Sequence, residues 1–158
     1  MSFGFNPLVA QGNLNRVSAH VTVAGNNSLN VTASNMTKSL LSITLEEPFV
    51  DQETTATGIV NSPRPFVMGT ITMNLLRSQS LANSWIALAA LNAVLGTVTV
   101  YPDSNVFTPL TFTNTSITGF DPGTYDGLDP TVKITMKGTF YINAVLWAGN
   151  TQATTIGT

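Results

Sequence analysis

Apolar and polar residues alternate with a period of two through much of this chain. From Val17 to Val23, Val17, Ala19, Val21 and Val23 share one parity, and Ser18, His20 and Thr22 the other. Successive side chains of a strand point to opposite faces, so this pattern predicts a strand with one buried face. Leu29, Val31 and Ala33 continue the alternation; Leu41, Ile43 and Leu45 repeat it, as do Ile71, Met73 and Leu75. The cleanest case is Thr131 to Ile142. There Val132, Ile134, Met136, Gly138 and Phe140 share a face opposite Lys133, Thr135, Lys137, Thr139 and Tyr141. Thr97 to Tyr101 and Leu110 to Thr118 predict two further strands. Val, Ile and Thr recur throughout, and such β-branched residues suit a pleated surface.

The period changes once. Leu81, Trp85, Leu88, Asn92 and Leu95 lie three or four apart with alanines between them, which predicts a helix near residues 79–95 with one apolar face. Ser78 or Ser80 is placed to cap its start, and Gly96 to end it. Two segments lack any sustained period. Residues 47–65, EPFVDQETTATGIVNSPRP, hold Pro48, Pro63 and Pro65 and predict a long excursion, either a loop or a hairpin with a polar tip. Residues 119–130, GFDPGTYDGLDP, predict an acidic, turn-rich loop. One helix cannot cover both faces of a sheet. The expected fold is therefore mainly β: two packed antiparallel sheets, as a sandwich or barrel, with one flanking helix. Residues 1–158 are expected to form one domain, with irregular N- and C-terminal arms and the excursion at 47–65.

Composition sharpens this picture. Charged residues make up 9% of the chain, against about a quarter in ordinary soluble domains. A monomer needs charged surface to stay dispersed. A chain with 43% hydrophobic residues and so little charge points to surface hidden against other chains. The net charge is −2, and the six cations are scattered, which disfavours tight binding to phosphate backbones. No cysteine is present, which excludes disulfides and thiolate chemistry. The first cation is Arg16 and no long apolar core precedes it, which argues against a secretory leader. The apolar run Leu81 to Leu95 is too short to span a membrane.

Candidate chemistry is sparse. His20 is the only histidine and falls on a polar strand face, and no G-x-S-x-G elbow accompanies it. Asp121, Asp126 and Asp129 do not match the EF-hand spacing, and the prolines and glycines around them explain the segment as a turn. Adjacent Glu46 and Glu47 point to opposite faces of a strand, which disfavours a paired-carboxylate hydrolase. No glycine-rich phosphate loop is found. No catalytic, metal-binding or cofactor-binding residue is assigned, no cofactor is expected, and an enzyme is not expected.

Residues 69–85, GTITMNLLRSQSLANSW, together with residues 131–142, TVKITMKGTFYI, resemble the tail tube proteins of contractile-tailed bacteriophages. In that family a strand ending in a polar or basic turn leads into one helix packed on a β-barrel. The resemblance implies two packed sheets with a flanking helix, hexameric rings, and stacking of the rings into a hollow tube. The same fold occurs in the tubes of pyocins and of type VI secretion. It further implies a virion location after assembly in the host bacterial cytoplasm. The implied partners are other copies of the chain and the sheath, baseplate, tail terminator and tape measure proteins. DNA would pass through without specific binding, and the subunit would not insert into a membrane.

Candidate inter-subunit contacts are Phe49, Val50, Ile59, Val60, Pro63, Arg64, Pro65 and Phe66 of the excursion, and Leu146 and Trp147 near the C-terminus. The polar strand faces, with Ser42, Thr44, Thr70, Thr72, Lys133 and Thr135, are candidates for the outer wall or the lumen. Two alternatives stay open from sequence: another phage structural part (baseplate, tail completion or capsid decoration), and a carbohydrate-binding β-sandwich. The second would need a platform of exposed aromatics, and here most aromatics fall at apolar-parity positions or in turns.

Overall fold

The computed structural model describes residues 18–103 and 107–146. Its strands are β1 (Ala19–Val23), β2 (Met36–Leu45), β3 (Val50–Thr54), β4 (Ile59–Pro63), β5 (Phe66–Leu76), β6 (Val94–Pro102), β7 (Leu110–Asp121) and β8 (Thr131–Tyr141), with the helix α1 (Ser80–Leu91) between β5 and β6. The fold is mainly β. A six-stranded antiparallel sheet runs in the order β1-β6-β7-β8-β5-β2, and β3 and β4 form a second, two-stranded sheet.

The six-stranded sheet curls around a single core. Val21 and Val23 of β1, Val100 of β6, Phe112 of β7, Met136 of β8 and Ile71 of β5 all belong to one buried cluster, and Leu41 and Ile43 of β2 pack against it. A flat sheet could not bring its first and last strands to one cluster. The parities expected for β5 and β8 hold: Ile71, Met73 and Leu75 are buried, as are Val132, Ile134 and Met136. The edge strands face each other across a seam. Ala19, Val100 and Pro102 on one side and Leu40, Leu41 and Ile43 on the other line an apolar cleft of about 360 Å³. Among the described residues no backbone ladder crosses it.

Helix α1 adds the fully buried Trp85 and Ala82 to the core. It is shorter than the spacing predicts. Its C-cap is Asn92, and the chain then enters β6, so Leu95 is a strand residue. Gly96 does not end the helix. Its φ of 84° serves an irregularity in the β6–β7 pairing, where a left-handed backbone suits glycine. Neither serine caps the start. Gln79 is the N-cap, and its side-chain amide instead accepts from Asn35 Nδ2 at 2.7 Å and donates to the Ser34 carbonyl at 3.2 Å.

The alternation Leu29, Val31, Ala33 does not mark a strand. Residues Asn27–Leu29 and Ala33–Asn35 are single 3-10 turns, and Ala33 is exposed. Leu29 and Val31 are buried nonetheless, because Val31 exchanges both backbone hydrogen bonds with Val21, at 2.8 and 2.9 Å. The turn thereby covers part of the outer edge of β1. In β2 the register shifts between Met36 and Leu41, with Leu40 at a φ of 46°. Gly69 and Gly138 stand opposite each other on the inward faces of β5 and β8, and a Cβ on Gly69 would overlap the Phe112 ring. The Phe112 ring fills the room over Gly69, and the Thr115 side chain with Phe112 Cβ fills that over Gly138.

Candidate inter-subunit surface

The excursion at 47–65 is a hairpin arm. Strands β2 and β5 pair up to Leu45 and Gly69, and the Glu46 amide still bonds the Met68 carbonyl. Beyond that point the register slips, and β3 pairs with β4 from Val50↔Pro63 to Thr54↔Ile59. The arm thus continues the β2–β5 ribbon past the end of the curled sheet. Thr55 closes its tip: its N–H donates to the Gly58 carbonyl at 2.7 Å, and its hydroxyl accepts from the Gly58 N–H at 3.1 Å. Each strand of the arm has five residues, so by the usual strand rise the arm extends about 17 Å from its root.

The root is tied by charge and by the segment after β8. Arg64 donates through Nε and Nη2 to both oxygens of Asp51, at 2.9 and 3.2 Å, and through Nη1 to Glu47 at 2.7 Å. A planar guanidinium suits such a forked contact. The side chain of Asn143 donates to the Phe49 carbonyl at 3.1 Å and to the Arg64 carbonyl at 2.7 Å. One amide therefore clamps both strands of the ribbon where the register changes. The Ile142 N–H adds a bond to the Pro65 carbonyl at 3.1 Å.

Within this frame the candidate contacts divide into groups. Phe49, Val50, Pro63, Arg64, Pro65 and Phe66 gather at the root, with Pro63 and Arg64 half-buried and the others exposed. Ile59 and Val60 lie on the arm itself and are 63% and 55% exposed, which leaves large apolar side chains in solvent. Opposed residues of an antiparallel pair share a face. Ile59, Val50 and Pro63 therefore share one face of the arm, while Val60 shares the other with Asp51, Glu53 and Ser62. Leu146 is exposed, three residues beyond the clamp. Trp147 lies outside the described residues. Sequence reasoning missed two members of this surface. Tyr141 is exposed and stands directly across from Phe66, and Asn143 holds the root. Tyr141 was legible as an outward-parity aromatic at the end of β8; nothing local marked Asn143.

The opposite end of the sheet carries an open polar cleft of about 630 Å³, lined by Thr37 and Ser39 of β2, Asn74 of β5, Asp121 at the end of β7, Lys133 of β8, and Asp129 of the adjoining loop. Arg77 braces that loop. It donates to the Pro122 carbonyl and, at 2.6 Å, to the Thr124 carbonyl, lies 3.9 Å from Asp129, and stacks over the Tyr125 ring. The three aspartates are spent on turns. Asp121 accepts from the Gly123 N–H, Asp126 from Leu128, and Asp129 from Thr124 and Thr131. The backbone N–H groups of Thr124 and Thr131 hold the Asp129 carboxyl below its ordinary range. Elsewhere, His20 stacks on Tyr101 with ring centroids 5.1 Å apart and lies 3.6 Å from Asp103. Glu46 and Glu47 serve different partners: Glu46 meets Thr70 and Lys137, Glu47 meets Arg64.

No protein-family model matches the chain, and no curated protein matches it.

Proposed function

We propose that this chain is a non-catalytic structural subunit that assembles with copies of itself, in the manner of a phage tail tube: hexameric rings that stack into a hollow conduit for DNA. The observation that carries the reading is the arm. It is firmly rooted by Arg64 and Asn143, yet it exposes Ile59, Val60, Phe49 and Phe66 to solvent. Ordering a hairpin costs conformational entropy, and its apolar residues recover little of that cost while they stay wet. A neighbouring copy that covers them would supply the missing burial. The edge of β2, unpaired among the described residues, and the low charge of the chain favour the same reading, since an unpaired strand edge is a template for another chain. A rotation that divides the circle closes such head-to-tail contacts into a ring.

Negative-stain electron microscopy of the purified chain, with size-exclusion chromatography alongside, tests this. Six-fold rings or hollow tubes are expected. Removing residues 50–63 should abolish them while the circular dichroism of the curled sheet persists. Intact tubes from the armless chain would sink the reading.

A further inference from the structure

The cleft along the seam holds apolar surface that the described residues leave partly uncovered. On β5, Ile71 and Met73 are buried, whereas their β2 partners Ile43 and Leu41 are only half-buried, because the cleft lies over them. Leu110 lines it half-buried, and Phe107 lines it 57% exposed. Leu40 lines it from a left-handed backbone, φ 46°, which costs a leucine free energy. The chain that enters β1 starts from the rim of this cleft. The Asp103 N–H donates to the Ser18 carbonyl at 2.8 Å, and the next residue, Ala19, is part of the cleft wall. Residues 1–17, which precede Ser18, lie outside the described residues. Their sequence holds Phe3, Phe5, Leu8 and Val9 close together, no acid, and a single cation, Arg16. Residues 3–9 therefore carry no charge out of water if they are buried. Gly12 and Asn13, between that stretch and Ser18, are turn-forming residues. Leu8 precedes Ser18 by ten residues, a tether of up to about 35 Å, and β2 rises only about 10 Å from Leu40 to Ile43.

We propose that residues 3–9 of each copy fold back and dock in that copy's own seam, with Phe5, Leu8 and Val9 against Leu40, Leu41, Ile43 and Leu110. The cleft's volume of about 360 Å³ is that of pockets which enclose a small ligand, so it takes a few apolar side chains. The short tether sets an effective concentration in the millimolar range, which favours the chain's own segment over that of a second copy. Residues 147–158 are a poorer occupant. They are rich in threonine, and Trp147 and Ile156 are their only large apolar residues. They also follow the Asn143 clamp at the arm root, whereas residues 1–17 join the cleft wall itself. The docked segment covers the one joint of the curled sheet that no ladder among the described residues closes. It acts within a single copy and stands apart from the self-assembly reading.

The absence of cysteine makes the test direct. The full-length chain carrying Val9→Cys and Leu41→Cys is mildly oxidised at low concentration, and the product is mapped by proteolysis and mass spectrometry. An intrachain disulfide is expected, in at least several-fold greater yield than from Val9→Cys with Leu128→Cys, whose second position is exposed in the loop after β7. An interchain disulfide, equal yields from the two pairs, or a greater yield from Ile156→Cys with Leu41→Cys would each overturn the docking. A second measurement leaves every described residue unchanged. Phe5→Ser, Leu8→Ser and Val9→Ser together should raise the fluorescence of the apolar dye ANS several-fold in the folded chain, and a synthetic peptide of residues 1–16 should reverse the rise. Dye binding equal to that of the unaltered chain would overturn the docking as well.

Discussion

Asn143 offers the sharpest perturbation of the arm, because a single side chain bridges the Phe49 and Arg64 carbonyls and sits at a left-handed φ of 55°. Replacement by glycine removes both hydrogen bonds and keeps the backbone comfortable. Each such bond contributes about 0.5–1.5 kcal/mol net, and the one to Phe49 is exposed, so the loss at the root should be about 1–2 kcal/mol. That corresponds to an opening equilibrium roughly 5–30-fold larger. The effect is local, since no residue of β3 or β4 belongs to the core cluster. Native-state hydrogen exchange reads it directly. The Arg64 and Ile142 amides, which bond the Phe49 and Pro65 carbonyls, should exchange faster by that factor. Amides of Ile71 and Met136, in the centre of the β5–β8 ladder, should not change. The alanine variant adds the cost of a left-handed backbone, about 1–2 kcal/mol. It should therefore loosen the root further than glycine does. Unchanged exchange at Arg64 would refute the clamp, and faster exchange across the whole sheet would show that the arm and the curled sheet open as one unit.

Other perturbations bear on the core and on pH. Gly69→Ala drives a Cβ into the Phe112 ring and should destabilise the chain by about 1–3 kcal/mol in urea denaturation, with Phe112→Leu restoring part of the loss in the double variant. Trp85→Ala should cost about 3–5 kcal/mol. Trp85→Phe should cost far less, because the buried indole N–H has no acceptor among the described residues; equal losses would reveal a hidden partner. The Thr70 hydroxyl and then Lys137 hold Glu46 below its ordinary 4.5, and backbone amides hold Asp129 below its ordinary 3.8. The unfolded chain then binds protons first on acidification, so this stabilisation is complete above those ordinary values and is lost as pH falls through the lower folded ones. Glu46→Gln and Asp129→Asn should each flatten the acid limb of a stability-versus-pH curve, and an unchanged limb would remove that carboxylate from the account.

The strands that face solvent on one side only were plain in the sequence. In β8 and β5 the period-two pattern maps onto burial residue by residue, because one side of each strand meets the core and the other meets water. The helix was legible in kind but not in length. Leu95 continues the three-four spacing by coincidence, since it belongs to β6 and packs on the core from there. Gly96 has the positive φ that a helix end would use, and a strand irregularity uses it as well. Alternation also misled at Leu29 to Ala33. Leu29 is turned inward there by a 3-10 turn and Val31 by its isolated bridge to Val21, with no strand running through both. The excursion was legible as an interruption with prolines. Its rooting was not, because Arg64 reaches Asp51 and Glu47 over 13 and 17 residues and Asn143 reaches Phe49 over 94. Such pairings are set by the three-dimensional path of the chain, and no local spacing encodes them. The polar cleft was invisible for the same reason, since β2, β5, β7, β8 and the loop after β7 each give it only one or two side chains.

The seam between β1 and β2 has a mechanical consequence. Around the girth of the curled sheet, the described strands are joined by a backbone ladder at every step except that one, where Leu41 and Ile43 face Ala19 and Val100 across an apolar cleft. Ladder bonds are directional and fail abruptly when stretched, whereas apolar contacts slide and tolerate small changes in spacing. The subunit is therefore stiff along its strands and compliant around its circumference. It can widen or narrow slightly by easing one greased joint, without breaking a single hydrogen bond. A wall made of many such units would bend by sharing small strains among all its joints, and no one unit would have to crack.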